Sequence, residues 1–436
     1  MMRVLLGLVL AVLLAGCGLF GDKKKDPLPG ERIPIMLLDR QLEADDRIAD
    51  LAVRLPPPEV NPDWPQTGGY ADHAMHHLAI AEVPKRAWQA SIGTGSSRER
   101  RVLTQPIVAN GHLFAMDAEG QVSAYEAQSG RRLWRTNVLP EDAESDAIGG
   151  GIAFDDGTLY VTTGAAQVLA LNPENGKILW RQVVTAPLRS GPTVANGRVF
   201  AVSVDNQLHA LDARDGNKLW THTGIAEIAS LLGGSSPAVE SGVVVAPFTS
   251  GEIVALRIEN GRQVWQDTLI AVRRVDAVSG LADIRALPVM DRGRVYAISH
   301  SGRMAAIDLR SGSRVWDIPL ASVQTPWIAG DFLFVVTTMN EVACLSRRDG
   351  RVRWVVQLPT LADPKKPKEK IFWVGPVLAA DRLIVASSHG RVVSLSPYDG
   401  SILGEIKLSS GIHVSPVVAN EMLYVLTDDA DLIAFK

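Results

Sequence analysis

The chain has 436 residues, 46% hydrophobic and 21% charged, with 44 Lys and Arg against 48 Asp and Glu and a formal net charge of -4. That balance lacks the basic excess a nucleic-acid partner requires. Its two cysteines exclude a disulfide framework, so stability must come from core burial, for which a chain of this length has ample material.

Met1 to Leu14 carry one Arg and then the apolar run LLGLVLAVLL, too short for an ordinary membrane span and shaped like an export signal. The run ends in Leu14-Ala15-Gly16-Cys17, which resembles a bacterial lipobox. Cleavage after residue 16 would free Cys17 for acylation, and each buried CH₂ of an acyl chain contributes about 0.8 kcal/mol to anchoring. The alternative is an ordinary signal peptide with an incidental Cys. Gly18 rather than Asp follows the Cys; by resemblance to known lipoproteins this points to the outer membrane, facing the periplasm.

Residues 17–84 form a lipidated tether and extension. GDKKKDPLPGER is charged and rich in Pro and Gly, the composition of a flexible segment. Met36 to Leu55 suggest a short amphipathic helix interrupted by Asp39, Asp45 and Asp46. NPDWPQTGGYADHAMHHLAI then brings His73, His76 and His77 close together. Without further ligands at metal spacing, no metal site is expected there. The segment reads as a loop on the outside of the following domain, anchored by Trp64.

Residues 85–436 repeat one phrase. GPTVANGRVFAVSVDNQLHALDARDGNKLW, ending at Trp220, shows its parts: a short apolar run, a Gly turn, two alternating runs, and a second Gly turn into Trp. The phrase ends at Trp88, Trp134, Trp180, Trp220, Trp265, Trp316 and Trp354, at gaps of 46, 46, 40, 45, 51 and 38 residues. Such a period marks units that bury their faces only by stacking, as the four-stranded antiparallel blades of a β-propeller do. An eighth slot falls at Gly404, and the last stretch to Lys436 supplies three strands without a fourth. The lone strand around Trp88 fits that gap. The expectation is an all-β, eight-bladed propeller whose last blade is closed by an N-terminal strand. The Trp residues would wedge between blades; ligand stacking is the alternative, but regular recurrence favours architecture. Cys344, in EVACL, is expected to be a small buried residue.

The phrase A-x-D-x-x-x-G-x-x-x-W (Ala210, Asp212, Gly216, Trp220; again Ala306, Asp308, Gly312, Trp316) resembles the repeat of quinoprotein dehydrogenases. The adjacent Cys pair of those enzymes is missing here, and the recurring Asp residues read as turn supports. Neither a phosphate loop nor a G-x-S-x-G or H-E-x-x-H motif occurs. No enzyme activity and no cofactor are therefore expected. The longest basic run, Pro364 to Lys370, reads as a solvated insertion in a blade connection, open to anionic lipid or a partner.

Lipobox, eight blades and missing catalytic groups together resemble the BamB family, scaffold lipoproteins of the outer-membrane β-barrel assembly (BAM) machinery. The resemblance implies docking on periplasmic domains of BamA, contact with other BAM components and unfolded outer-membrane clients, and membrane attachment through Cys17. The family's contact loop carries Leu-x-Leu-Arg ahead of a blade's first strand. In TAPLRSGPTV, Leu188 and Arg189 match and Ala186 replaces the first Leu. A neighbouring loop of the family carries two Asp; GLADIRALPV keeps Asp283, with Arg285 at the second position. The resemblance thus implies Leu188 as an apolar anchor and Arg189 as a fork for a partner oxygen. Asp283 would steady Arg189 or pair across the interface. The insert containing DWPQTGG exceeds the family's usual short linker. Two other readings are a quinoprotein-like enzyme dependent on pyrroloquinoline quinone, and a general peptide platform using free strand edges.

Overall fold

A computed structural model describes residues 42–141, 148–227, 231–270, 282–363, 365–366 and 368–436. The proposed signal, Cys17 and the tether up to residue 41 lie outside these residues. Those described belong to one compact unit, Gln41–Lys436.

Each blade starts from alternation. In the third, Thr193–Ala195, Arg198–Ser203, Gln207–Asp212 and Lys218–Thr223 pair in order as an antiparallel sheet. Asn196-Gly197 makes the first hairpin with positive φ at both residues. Among the described residues eight such four-stranded sheets form. The short first strands are buried and line the axis; the fourth strands alternate between exposed and half-buried positions at the rim. Blades 1 to 7 begin at Ile107, Gly150, Thr193, Ala238, Val289, Trp327 and Trp373. The eighth combines Val417–Ala419, Met422–Leu426 and Asp431–Phe435 with Arg86–Ser91. The expected closure by the N-terminal strand is therefore present.

The repeat phrase has a physical explanation in the ring. Every blade Trp pairs across to a small residue of the third strand: Ala434, Ala124, Ala170, Ala210, Ala255, Ala306 or Cys344. The small partner leaves room for the indole, which leans onto the next blade. There each Nε1–H donates to a backbone carbonyl at 2.7 to 3.1 Å, from Trp88 to Ala127 through Trp354 to Pro397. The glycine of the next blade's last turn lies against the ring. Gly216 has φ +74, and a Cβ there would sit 2.6 Å from Trp180. The blade Asp supports the same turn, as where Asp212 Oδ1 accepts from Arg214 N at 2.9 Å. One phrase thus encodes both a hairpin and the joint to its neighbour.

Gly404 marks the one joint built differently. It faces Ser394, and a Cβ added there would meet nothing within 4 Å. The eighth blade's third and fourth strands come from distant parts of the chain and share no hairpin. That joint therefore lacks both the glycine platform and the acceptor carbonyl. Lys85 and Lys436 instead exchange two backbone hydrogen bonds of 2.8 Å.

The N-terminal extension departs from expectation. It does not pack on the outside. It runs around the propeller axis along the inner strands and bonds to all eight blades in ring order. Asn61 O accepts from Asn420 N in blade 8, and Trp64 exchanges two bonds with Val108 in blade 1. Pro65 O serves Phe154 N in blade 2, and the Gln66 amide pairs with both backbone groups of Val194 in blade 3. Ala71 O and Asp72 O accept from Val239 N and Met290 N in blades 4 and 5. His76 O accepts from the Trp327 indole in blade 6, and Leu78 brackets Leu378 and Ala380 in blade 7. Buried inner-strand groups need partners, and this plug supplies them. Trp64 is 1% exposed and stacks on Trp327 at 6.2 Å. Gly68 and Gly69 turn inside, where added Cβ atoms would strike Leu287 and Met75.

The three histidines separate within the plug. His73 Nδ1 meets Pro288 O at 2.7 Å, His77 Nδ1 meets Pro56 O at 2.7 Å, and His76 lies 3.7 Å from Asp291. The expected helix also gives way: its described part contains one 3₁₀ turn, Asp46–Ile48, capped by Asp45. Aspartates at consecutive positions favour caps over helix interior.

Candidate functional site

Strand alternation gives the ring two faces. One carries the turns within the first and last hairpins of each blade, and the plug enters from it. The other carries the connections between blades and the middle hairpin turns. Leu188, Arg189 and Asp283 all lie in connections on this interblade face.

Their side chains do not all reach the surface. Leu188 pairs with Ser203 as an isolated bridge, and its N–H donates to Thr163 O at 3.1 Å. That register turns its side chain into the core between blades 2 and 3, where it is 0% exposed. As seated it offers nothing to a partner, which corrects its expected role as an apolar anchor. Arg189 is half-buried, with its backbone close against Gly149 and Gly234. Asp283 is 4% exposed, and its Oδ2 accepts from Leu231 N at 2.8 Å. Burial pushes its carboxyl up to about 6, against the opposing pull of the Leu231 N–H, Arg285 and Arg189. It therefore works inside the loop cluster rather than on its surface.

Serine and threonine hydroxyls tie successive connections together. Thr162 Oγ1 donates to Ser190 O at 2.6 Å, and Ser190 Oγ to Ser235 O at 3.2 Å. Ser235 Oγ continues to Ala286 O at 2.9 Å, and Ser236 Oγ reaches Gly191 O at 2.7 Å. These bonds hold the loops of blades 2 to 5 as one platform, which lowers the ordering cost of binding. Arg189 stands on it, with Ile225 and Leu232 exposed on the connection between blades 3 and 4. The sequence reading missed these two apolar groups; the LLGG stretch at Leu231–Gly234 signalled Leu232 only. An arginine and exposed apolar groups on one tied loop cluster suit binding of a protein surface.

The opposite face holds a cavity of about 480 Å³ beside the plug, lined by Gln66, Tyr70, Asp72, Asp155 and Asn196 among others. Burial raises the Asp72 and Asp155 carboxyls. Among the described residues no group of three or more His, Cys, Asp or Glu could hold a metal ion.

A family model described as outer membrane protein assembly factor BamB matches residues 87–146, 118–356 and 362–436. The outer membrane protein assembly factor BamB of Moranella endobia is 24% identical over 358 residues, covering 80% of this chain and 90% of that protein. The crystal structure of BamB from Moraxella catarrhalis superposes with a TM-score of 0.69 at 19% identity, covering 81% of this chain and all of that one. A quinohemoprotein alcohol dehydrogenase from Pseudomonas putida gives a TM-score of 0.68 at 14% identity, covering 86% and 80% of the two chains. At that identity the likeness is one of fold.

Proposed function

The chain belongs to the family of the outer membrane protein assembly factor BamB, and from that premise we propose that it is a non-catalytic scaffold of the BAM complex. It assists the folding and insertion of outer-membrane proteins from the periplasmic side of the outer membrane. The observation that carries this reading is the family match across nearly the whole propeller, from residue 87 to residue 436. The tied interblade loops supply a surface suited to the role. The likeness to the dehydrogenase concerns the blades and supports no catalytic reading.

In finer detail, the interblade face docks on BamA's periplasmic domains. Arg189 is the group presented, while Leu188 and Asp283 hold its loop from below. Acylated Cys17 keeps the scaffold at the membrane, and unfolded clients pass between the two proteins. Calorimetric titration of BamA's periplasmic domains tests the contact. Arg189→Glu should abolish binding with folding intact. Leu188→Ala should weaken it only in step with lost stability. Equal binding by parent and Arg189→Glu would move the site elsewhere.

A further inference from the structure

The connection between blades 6 and 7 is an amphipathic projection on the interblade face, separate from the tied loops of blades 2 to 5 that carry Arg189. Its chain folds back on itself: Leu361 pairs with Lys370, Ala362 N donates to Glu369 O at 3.0 Å, and Ile371 N donates to Thr360 O at 2.9 Å. Lys365, Lys366, Lys368 and Lys370 are all exposed. Only Asp363 and Glu369 oppose them, and Glu369 is already paired with Lys366 at 3.0 Å.

At the base of this projection stands Phe372, 59% exposed. It is fixed there, since its N–H donates to Ser388 Oγ at 3.0 Å and its carbonyl accepts from Ser388 N at 2.9 Å. Beside it Asn340 Nδ2 donates to Ile371 O at 2.9 Å, which sets Met339, 51% exposed, at the neighbouring turn. A single exposed apolar side chain is ordinary. Two held rigidly beside four lysines form the pattern of an interfacial membrane contact, with rings and thioethers entering the headgroup region and amines meeting anionic lipid.

The path of the chain adds a separate observation. Leu42, the first described residue, donates its N–H to Glu341 Oε1 at 3.1 Å, two positions beyond Met339. From there the extension runs away from this face, with Asp45 N bonding to Val352 O at 2.8 Å, before it turns toward the axis. The polypeptide leading back to Cys17 thus joins the folded body beside the lysine-rich corner.

We propose that this corner, Met339 with Phe372 and the four lysines, lies on the surface of an anionic phospholipid bilayer. The acyl anchor, which belongs to the proposed function above, would tether the protein; the corner would set its orientation. Blades 6 and 7 lie around the ring from the Arg189 platform of blades 2 to 5, so the corner shares no residue with it.

The test uses the chain from residue 18 onward, which keeps every described residue but lacks the acylated cysteine. It is floated with vesicles rich in phosphatidylglycerol and, separately, with pure phosphatidylcholine vesicles. Binding is expected only to the anionic vesicles, and it should fall as salt screens the charges. The Lys365→Glu, Lys366→Glu, Lys368→Glu and Lys370→Glu combination should weaken partitioning by at least about tenfold. Phe372→Ser should weaken it several-fold, with the thermal transition unchanged in both variants. No binding to anionic vesicles, or equal binding by all three proteins, would overturn the proposal. So would loss of BamA binding in the lysine variant without any vesicle binding, which would make the corner a protein interface. Because Cys17 is absent from this assay and BamA is absent from the flotation, failure of the corner is distinguishable from failure of the anchor or of the BamA contact.

Discussion

Trp64→Ala tests whether the plug and the ring fold as one unit. Trp64 is 1% exposed, stacked on Trp327 and joined to Val108 by two backbone bonds of 2.7 and 2.9 Å. Truncating a buried Trp to Ala costs about 3–5 kcal/mol through lost transfer energy and the cavity left behind. Native domains have only about 5–15 kcal/mol in hand, so the loss should lower the urea midpoint clearly. It should also free the plug. The amides of Val108, Phe154, Val239, Met290, Ala380 and Asn420 each donate to a plug carbonyl. Hydrogen exchange should therefore quicken at these six positions, in or just after the first strands of six different blades, with little change in the fourth strands at the rim. An unfolding free energy within about 1 kcal/mol of the parent value, with those amides still protected, would refute the idea that the plug stabilises the ring.

Other consequences follow from single residues. Gly216→Ala meets both positive φ and the Trp180 ring, whereas Gly197→Ala has φ +70 and open space. Urea unfolding should place Gly216→Ala below Gly197→Ala by at least about 1 kcal/mol, the part due to overpacking at the joint. Gly404→Trp should change stability by less than about 0.5 kcal/mol, since its joint offers the indole no glycine platform and no acceptor; a clear gain would contradict the account of the seam. Burial of His73 lowers its pKa from 6.5 to about 4, against the pull of the Pro288 carbonyl. Its Nε2 is buried without a partner. Between those values the unfolded chain binds more protons, so stability is lost as pH falls from 6.5 toward 4, at up to about 1.4 kcal/mol per pH unit. His73→Gln should flatten that acid loss in denaturation midpoints. Asp283 has the opposite sign: its carboxyl is raised from 3.8 to about 6, so its contribution is present below 3.8 and lost as pH rises through 6. Asp283→Asn should remove that decline.

The blades were legible because each strand, turn and Trp recurs with its neighbours, so every repeat corroborates the next. The closing strand at Trp88 and the odd slot at Gly404 could be read from the same beat. The plug could not. Residues 59–80 have no periodicity, and their partners are mostly backbone groups of strands spread over the whole chain. Their visible marks were a Trp between Asp63 and Pro65, two glycines in succession and three histidines, of which His73 and His76 have positive φ. Such marks show that a segment is ordered without showing on what. The partner loops failed in another way. Their residues matched a family pattern, but whether Leu188 and Asp283 point inward depends on a one-residue register against Ser203 and on the neighbouring Leu231 amide. A loop's sequence does not encode that choice.

Retrieval of the full-length, tagged chain from detergent-solubilised outer membranes tests the scaffold claim most directly. BamA should come with the parent protein in stoichiometric amount and be lost with Arg189→Glu, while both proteins remain in the outer-membrane fraction. Outer membranes that yield the chain without BamA would contradict the account.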